Sequence, residues 1–343
     1  MPRRSKSRRK VFVARQIDEA ALERLRAEAS VAVWKGDIPP SEKELRTALE
    51  DADAVLSMLT EKFDATVIAR ASRLRVISNL AVGVDNIDLE AATRSGIAVG
   101  HTPGVLTEAT ADLAFGLMMA TTRRIAEGDR YVRAGRWRTW GPMTMLGRDV
   151  HDSTLGIIGW GAIGQAMARR AAGFGMRVLY VGHRAVKNRR SGARRADALA
   201  SAERVNLPRL FAESDFVSIH VPLTSETHRM IGAREFALMK RGAILINTAR
   251  GAVVDQVAMV RALRSGILGG AGLDVTDPEP IARHDSLLRL DNVVITPHIG
   301  SASTVTRARM AAMAVDNILE VFAGTRPRWC ANPQVRLRPP LDA

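Results

Sequence analysis

Three charged side chains in the second half of the sequence have the chemistry of a proton-transfer site. The stretches NTARGAVVD, LDVTDPEP and VVITPHIGS place Arg250, Glu279 and His298 after apolar runs that read as strands. A protonated imidazole is a general acid near neutral pH, and a neighbouring carboxylate favours its charged form. A guanidinium can polarise a carbonyl and hold a carboxylate by two parallel hydrogen bonds. Because ligands bind beyond the carboxyl ends of strands in open α/β sheets, we predict that these side chains share one site.

A simpler interpretation gives the same residues structural roles only. Arg250 and Glu279 would then form surface ion pairs, and His298 would cap a backbone turn. The order of the three residues along the chain, each after a strand, favours the shared site over this alternative.

A glycine-rich turn indicates the cofactor. The stretch TLGIIGWGAIGQAMARR has the pattern G-x-G-x-x-G at Gly159, Gly161 and Gly164, between an apolar strand and a helix. Gly159 allows a tight turn, Gly161 lets the backbone approach a pyrophosphate, and Gly164 lets helix and strand pack closely. The first amides of the helix favour a doubly negative group. The pattern therefore predicts a dinucleotide site.

The strand after this unit lacks the acid that usually accepts hydrogen bonds from a ribose 2′-hydroxyl. It reads VLYVGHRAV, with Gly182, His183 and Arg184 at its end. An acid there would repel a 2′-phosphate, whereas Arg184 and His183 offer positive charge and donors. We predict that NADP is preferred and that NAD is possible. The alternative is that Arg184 faces solvent and that the enzyme uses both cofactors equally.

Together these features predict ketone reduction. Hydride attack on a 2-oxo acid builds negative charge on the carbonyl oxygen, which then needs a proton. His298 would supply that proton, while Arg250 would polarise the carbonyl and hold the substrate carboxylate.

The elements that must position these residues follow from the alternation of strand and helix patterns. From residue 11 to about 100, short apolar runs alternate with helices of about ten residues, which is typical of parallel βαβ units. A second series starts with a long helical stretch at 109–135 and contains the glycine turn. The last helix, 303–324, is expected to return to the first domain. We predict an α/β protein with two Rossmann-like or flavodoxin-like domains, each with a doubly wound parallel sheet.

The predicted boundaries divide the chain into four parts. They are a basic, disordered tail (1–10), a discontinuous substrate-binding domain (11–105 plus 297–330), a dinucleotide-binding domain (106–296) and a C-terminal tail (331–343).

Composition excludes several other classes of protein. The 343 residues suit two domains, and no apolar run approaches the ~18 residues of a membrane span. A single cysteine, Cys330, excludes an intrachain disulfide, and the histidines lack metal-ligand spacing, so we expect a cytoplasmic protein without a metal site. The net charge of +14 is mostly dispersed arginine, which favours a solvated basic surface over nucleic-acid binding.

The motifs resemble those of D-isomer-specific 2-hydroxyacid dehydrogenases, and most closely the glyoxylate/hydroxypyruvate reductase branch. The similarity covers about residues 11–330 and lies in NLAVGVDNID, HTPGVLTEATADLA, GIIGWGAIGQAMARR, HVPLTSETHRMI, TPHIGS and the stretches around Arg250 and Glu279. The resemblance implies an active site in the cleft between two domains. It also implies that Arg250, Glu279 and His298 are catalytic and that the backbone amides of Val82 and Gly83 hold the substrate carboxylate.

The same resemblance implies the cofactor contacts. Asp274 would accept from the nicotinamide amide, Thr110 would contact the cofactor across the cleft, and Val221 with Pro222 would form a turn against the adenine. The full predicted cofactor set is Thr110, Gly159, Trp160, Gly161, Ala162, Ile163, Gly164, Gly182, His183, Arg184, Val221, Pro222, Thr227, Thr248, Ala249, Asp274, His298 and Gly300. Ala162 departs from the family pattern, because many relatives carry an arginine there.

The resemblance further implies a homodimer made by the nucleotide domains. Trp140 resembles a residue that reaches into the substrate site of the partner subunit; the alternative is that it only anchors the dimer interface.

Two other functions stay open at this stage. The same chemistry could act on a sugar-derived 2-keto acid or on 3-phosphoglycerate. Alternatively, the scaffold could be a nucleotide-sensing, corepressor-like binding protein, a hypothesis supported by the basic tail PRRSKSRRK and opposed by the complete catalytic trio.

Overall fold

The computed structural model describes residues 8–182 and 199–339. The chain forms two compact units, one from Met1–Leu106 with Ala302–Ala343 and one from Thr107–Ser301. The strands are β1 (Lys10–Val13), β2 (Ser30–Val33), β3 (Ala54–Ser57), β4 (Val76–Asn79), β5 (Ala98–Gly100), β6 (Thr154–Ile158), β7 (Arg177–Val181), β8 (Glu203–Arg204), β9 (Phe216–Ile219), β10 (Ala243–Asn247), β11 (Leu268–Leu273) and β12 (Val293–Ile295). The helices are α1 (Glu19–Glu28), α2 (Glu42–Leu49), α3 (Ala65–Arg70), α4 (Leu89–Arg94), α5 (Thr107–Thr122), α6 (Ile125–Arg133), α7 (Ala162–Ala172), α8 (Leu207–Glu213), α9 (Ala233–Leu238), α10 (Gln256–Arg264) and α11 (Thr304–Phe322).

The first unit is built on a five-stranded parallel sheet. Its strand order is β2-β1-β3-β4-β5, which is the flavodoxin-like order. The central strands β3 and β4 are buried along their whole length, as expected for a parallel sheet covered on both faces. The last long helix, α11, belongs to this unit and covers β4, where the Ser78 hydroxyl donates to the Ala314 carbonyl at 2.8 Å.

The second unit contains a seven-stranded parallel sheet in the order β12-β11-β10-β9-β6-β7-β8. The chain starts in the middle at β6, builds outward to β8, and then returns to build the other half from β9. The direction of winding therefore reverses between β6 and β9, and ligands of open α/β sheets bind at such a point. The two parallel sheets with their helices confirm the predicted α/β class.

The helical stretch predicted at 109–135 consists of two helices, α5 and α6. The chain breaks between α5 and α6 at Arg124, which has a left-handed φ of 53°. The Arg124 guanidinium donates to both oxygens of Glu127 at 2.7 and 2.6 Å, which holds the first turn of α6. No proline marks this break, so the helical pattern of the sequence does not indicate where it lies.

The chain ends differ in how they join the fold. Residues 1–7 of the predicted basic tail and residues 340–343 lie outside the described residues. Lys10 already belongs to β1, and Arg338 donates to the carbonyls of Ser95 and Ala71, both at 3.1 Å, so residues up to 339 pack on the first unit. Residues 297–301 cluster with the second unit. Within the described ranges, none of the helices has the length and apolar character needed to cross a bilayer.

Candidate active site

The structure brings together two of the three predicted catalytic side chains. The imidazole Nδ1 of His298 is hydrogen bonded to the Glu279 carboxylate, and the two groups form an ion pair when the imidazole is protonated. The His298 side chain is 29% exposed and that of Glu279 is 41% exposed, so the pair is open to solvent or ligand on one side. Because the carboxylate occupies Nδ1, the other ring nitrogen, Nε2, is the atom left to exchange a proton with a substrate.

A buried carboxylate shapes the turn that carries His298. Asp274, which is 2% exposed, follows β11 directly and accepts hydrogen bonds from the Thr296 hydroxyl at 2.6 Å and from the amides of Ile299 and Gly300 at 2.8 and 2.7 Å. The His298 amide donates to the Asp274 carbonyl at 3.0 Å. These bonds keep His298 at a φ of 52°, a left-handed conformation that is uncommon for residues other than glycine. A carboxylate has about four acceptor positions and these bonds use three of them, which is compatible with the predicted contact of Asp274 to the nicotinamide amide.

Arg250 lies on the loop after β10, and the backbone of this loop is fixed by Asn247. The Asn247 side chain donates to the Arg250 carbonyl at 2.9 Å and accepts from the Ala249 amide at 3.0 Å. The Arg250 guanidinium donates to the Ala249 carbonyl at 2.8 Å. Arg250 is therefore held at the same sheet edge as the turn that contains His298, since β10, β11 and β12 are parallel neighbours.

The loops of Arg250 and Glu279 touch through a glycine. A Cβ on Gly251 would lie 2.0 Å from the Thr276 carbonyl, a distance that no side chain can adopt, so only glycine permits this approach. The sequence pattern indicated only the arginine of this stretch; the glycine beside it sets the spacing of the two loops.

Gln256, at the start of α10, anchors the Glu279 loop, and no sequence motif indicates this role. Its side chain accepts from the Asp277 amide at 3.1 Å and donates to the Asp285 carboxylate at 2.8 Å. Nothing in the sequence separates this glutamine from a solvent-exposed residue of a first helical turn, because its partners lie 21 and 29 residues away.

The glycine turn has the packing expected of a dinucleotide loop. A Cβ on Gly159, at φ 104°, would lie 2.5 Å from the His220 carbonyl, and a Cβ on Gly164 would lie 2.1 Å from the Gly159 carbonyl. A Cβ on Gly161 would meet nothing within 4 Å, and this residue caps α7 without a side chain. The turn joins β6 to α7, next to the point between β6 and β9 where winding reverses, and Ala162 and Ile163 begin α7.

Packing requires a glycine at position 182, which the sequence did not reveal. A Cβ there would lie 2.7 Å from the Trp160 amide nitrogen, so the glycine is needed by the protein itself. Trp160 is 6% exposed and stacks on Tyr180 with ring centroids 3.9 Å apart. The predicted phosphate contacts His183 and Arg184 lie outside the described residues.

Two further predicted cofactor residues, Thr248 and Thr110, have buried side chains in the second unit. The Thr248 hydroxyl, just after β10, is buried and has no hydrogen-bond partner among the described residues, so it is a polar atom that a ligand could satisfy. Thr110 is 6% exposed, and a Cβ on Gly300 would lie 3.5 Å from its methyl group and 3.1 Å from the Asp274 carboxylate. With the glycine turn, these groups fit a dinucleotide cofactor along the carboxyl edge of the sheet.

The turn after β9 carries a histidine that is not a proton donor at neutral pH. Burial lowers the pKa of His220 to about 4, so this imidazole is neutral near pH 7. Its Nε2 lies 2.9 Å from the Ser218 hydroxyl. The Thr227 hydroxyl donates to the Pro222 carbonyl at 2.6 Å and closes the turn that directly follows Val221. In the described structure Thr227 thus stabilises the predicted adenine turn.

The remaining predicted substrate residues lie on other elements. Val82 and Gly83 are in the first unit, on the loop after β4. Trp140 is in the second unit, 78% exposed, on the irregular segment after α6.

Comparison with known proteins gives a consistent result. The model of the family "D-isomer specific 2-hydroxyacid dehydrogenase, NAD binding domain" matches residues 115–300. A glyoxylate reductase of Korarchaeum cryptofilum is 50% identical over 335 residues, which cover 96% of this chain and 98% of that protein. A crystal structure of a Thermus thermophilus protein has a TM-score of 0.87 at 47% identity, covering 94% of this chain and 99% of that one. The NADPH-dependent glyoxylate/hydroxypyruvate reductase of Sinorhizobium meliloti, solved with NADP and malonate, has a TM-score of 0.79 at 29% identity and covers 97% and 99%.

Proposed function

This chain belongs to the D-isomer-specific 2-hydroxyacid dehydrogenase family, and on that premise we propose that it reduces glyoxylate or hydroxypyruvate with a reduced nicotinamide cofactor. The observation that carries the proposal is the His298 imidazole bonded to the Glu279 carboxylate beside the loop of Arg250. Ketone reduction needs such a proton donor, whereas a protein that only senses a nucleotide does not.

The residues divide the work as follows. The bound nicotinamide supplies the hydride. His298 donates a proton from Nε2 to the carbonyl oxygen, and the Glu279 carboxylate, which is bonded to Nδ1, fixes the orientation of the imidazole. Arg250 holds the substrate carboxylate and polarises the ketone, with the amides of Val82 and Gly83 as further donors to that carboxylate. The product is the D-2-hydroxy acid.

For the cofactor, we propose NADPH as the preferred hydride donor. The support is the absence of an acid after β7, where the sequence has Gly182, His183 and Arg184. The Sinorhizobium meliloti relative, which is NADPH-dependent, agrees with this proposal.

A panel of 2-oxo acids assayed with NADPH and NADH tests both proposals. We expect the highest kcat/KM on glyoxylate or hydroxypyruvate with NADPH. In an Arg184→Ala variant, kcat/KM with NADPH should fall about tenfold, because one hydrogen bond to the charged 2′-phosphate is removed. The kcat/KM of the same variant with NADH should change little. Equal or better kcat/KM with NADH in the wild type would contradict the cofactor preference, and no turnover on either acid would contradict the function.

We also propose a homodimer formed by the second unit. The support is a run of exposed apolar side chains at and after α6, a helix with no buried residue. They are Ile125, Val132, Trp137, Trp140, Met143 and Leu146, with Trp140 and Met143 more than 75% exposed. Large apolar side chains that are exposed together along one segment of the chain favour an interaction site there.

Light scattering on the purified protein tests the dimer. The expected mass is twice the 37.3 kDa of one chain. A Trp140→Asp/Met143→Asp double variant is expected to shift the mass toward one chain. A wild-type protein of 37.3 kDa at micromolar concentration would exclude the proposed dimer.

The other predicted functions have less support. Sugar-derived keto acids, 3-phosphoglycerate and a corepressor role are not favoured by the relatives, which are named glyoxylate reductases. A cytoplasmic location remains part of the proposal.

A further inference from the structure

In the loop of Val82 and Gly83, which is proposed to bind the substrate carboxylate, the carbonyls are hydrogen bonded to other described residues and the amides are not. The Val82 carbonyl accepts from His101 Nδ1 at 2.9 Å, and the Gly83 carbonyl accepts from the Asn79 side chain at 3.0 Å. Within residues 8–182 and 199–339, the amides of Val82 and Gly83 form no hydrogen bond, although the preceding amides of Leu80 and Ala81 do. Val82 is also 37% exposed. The protein therefore fixes the carbonyls of this loop by hydrogen bonds and leaves its amides as donors for a ligand.

The planarity of the peptide bond links the two sides. The Val82 carbonyl and the Gly83 amide belong to one trans peptide, in which the C=O and N–H bonds point in opposite directions. A donor that fixes the carbonyl therefore also fixes the direction of the amide. The hydrogen bond also polarises the peptide, which makes its N–H a stronger donor to an anion.

His101 is itself rigidly placed. Its amide donates to the Trp329 carbonyl at 3.0 Å, and its carbonyl accepts from the Asn317 side chain at 3.2 Å. Because the Val82 carbonyl can only accept, Nδ1 of His101 must carry a proton.

Asn79 fixes the next peptide in the same way. Its amide nitrogen donates to the Gly83 carbonyl and to the Asn86 side chain at 3.1 Å, and its oxygen accepts from the Ser57 hydroxyl at 3.1 Å. Both its amide and its oxygen are engaged, which determines the orientation of the side-chain amide.

We infer that His101 is a positioning residue that orients and polarises the Gly83 amide toward the carboxylate of a 2-oxo acid, with Asn79 holding the adjacent peptide. The inference rests on the proposed function. It assigns specificity for a carboxylate to a histidine that does not touch the substrate and has no part in the proton transfer of His298.

Paired substitutions at His101 test the inference. His101→Ala removes the donor, whereas His101→Asn keeps one, because the side-chain nitrogen of asparagine lies close to the position of Nδ1. In His101→Ala, we expect KM for glyoxylate to rise about tenfold, because a misoriented Gly83 amide loses its hydrogen bond to the charged carboxylate. The kcat and the KM for the cofactor should change less than about threefold. His101→Asn should restore KM to within about threefold of the wild type. The exposed His151→Ala is the matched control and should leave all constants unchanged.

Oxalate binding to the protein that holds oxidised cofactor gives a readout independent of turnover. Calorimetry should show oxalate affinity falling about tenfold in His101→Ala and recovering in His101→Asn. If His101→Ala is too unstable to assay, His101→Met fills the same space without a donor and should behave as predicted for alanine. Unchanged oxalate affinity in the donor-free variants, or equal loss in His101→Asn, would overturn this inference alone. A wild-type protein that reduces no 2-oxo acid would instead overturn the proposed function.

Discussion

The His298→Asn variant is expected to lose about a hundred- to ten-thousandfold in kcat, the range that a positioned general acid contributes. Asparagine is the sharper choice than alanine, because His298 has a left-handed φ of 52° and asparagine tolerates that conformation better than other residues with a side chain. The backbone bonds of His298 to Asp274 and Thr296 can therefore persist. Single-turnover oxidation of the bound cofactor measures the chemical step directly.

Two further variants distinguish a loss of proton donation from a loss of folding stability. The exposed His151→Asn should keep the wild-type kcat. Glu279→Gln retains a hydrogen-bonding partner for Nδ1 but removes the negative charge, so its kcat should fall less than that of His298→Asn. A His298→Asn protein with full kcat and an unchanged melting temperature would show that another group donates the proton.

The Arg250→Ala variant is expected to lose about a hundred- to ten-thousandfold in kcat/KM. Two hydrogen bonds to a charged group contribute about 3–6 kcal/mol, and each ~1.4 kcal/mol corresponds to about tenfold. KM should rise because the substrate carboxylate loses its forked partner, and kcat should fall because the ketone is less polarised. Steady-state kinetics on glyoxylate at saturating cofactor give both constants.

Conservative and distant substitutions make this prediction specific. Arg250→Lys keeps the charge but loses the fork, so we expect it to recover only part of the activity. Arg261→Ala removes an exposed arginine from α10 on the same unit and should have no effect. If Arg250→Ala and Arg261→Ala were equally active, Arg250 would have only the structural role of an ion-pairing residue.

The amino-acid sequence by itself determined the fold class, the family and the residue types of the site. Alternating strand and helix patterns predict two parallel sheets because periodicity reflects which face of each element is buried. The glycine turn was predictable because its requirements are local: Gly159 needs a positive φ, and Gly164 meets a backbone atom five residues away. The positions of Arg250, Glu279 and His298 after strands followed from the same local patterns.

Only the tertiary structure decided how these residues are held. The bond between His298 and Glu279, the contact of Gly251 with Thr276 and the hydrogen bond from His101 to Val82 each join separate loops, and no local pattern encodes them. The left-handed φ of His298 is likewise enforced by Asp274, 24 residues earlier, and not by the residue itself. The physical reason is that each bond depends on parallel strands ending at a common edge, so that loops distant in the sequence become neighbours only when the sheet has formed.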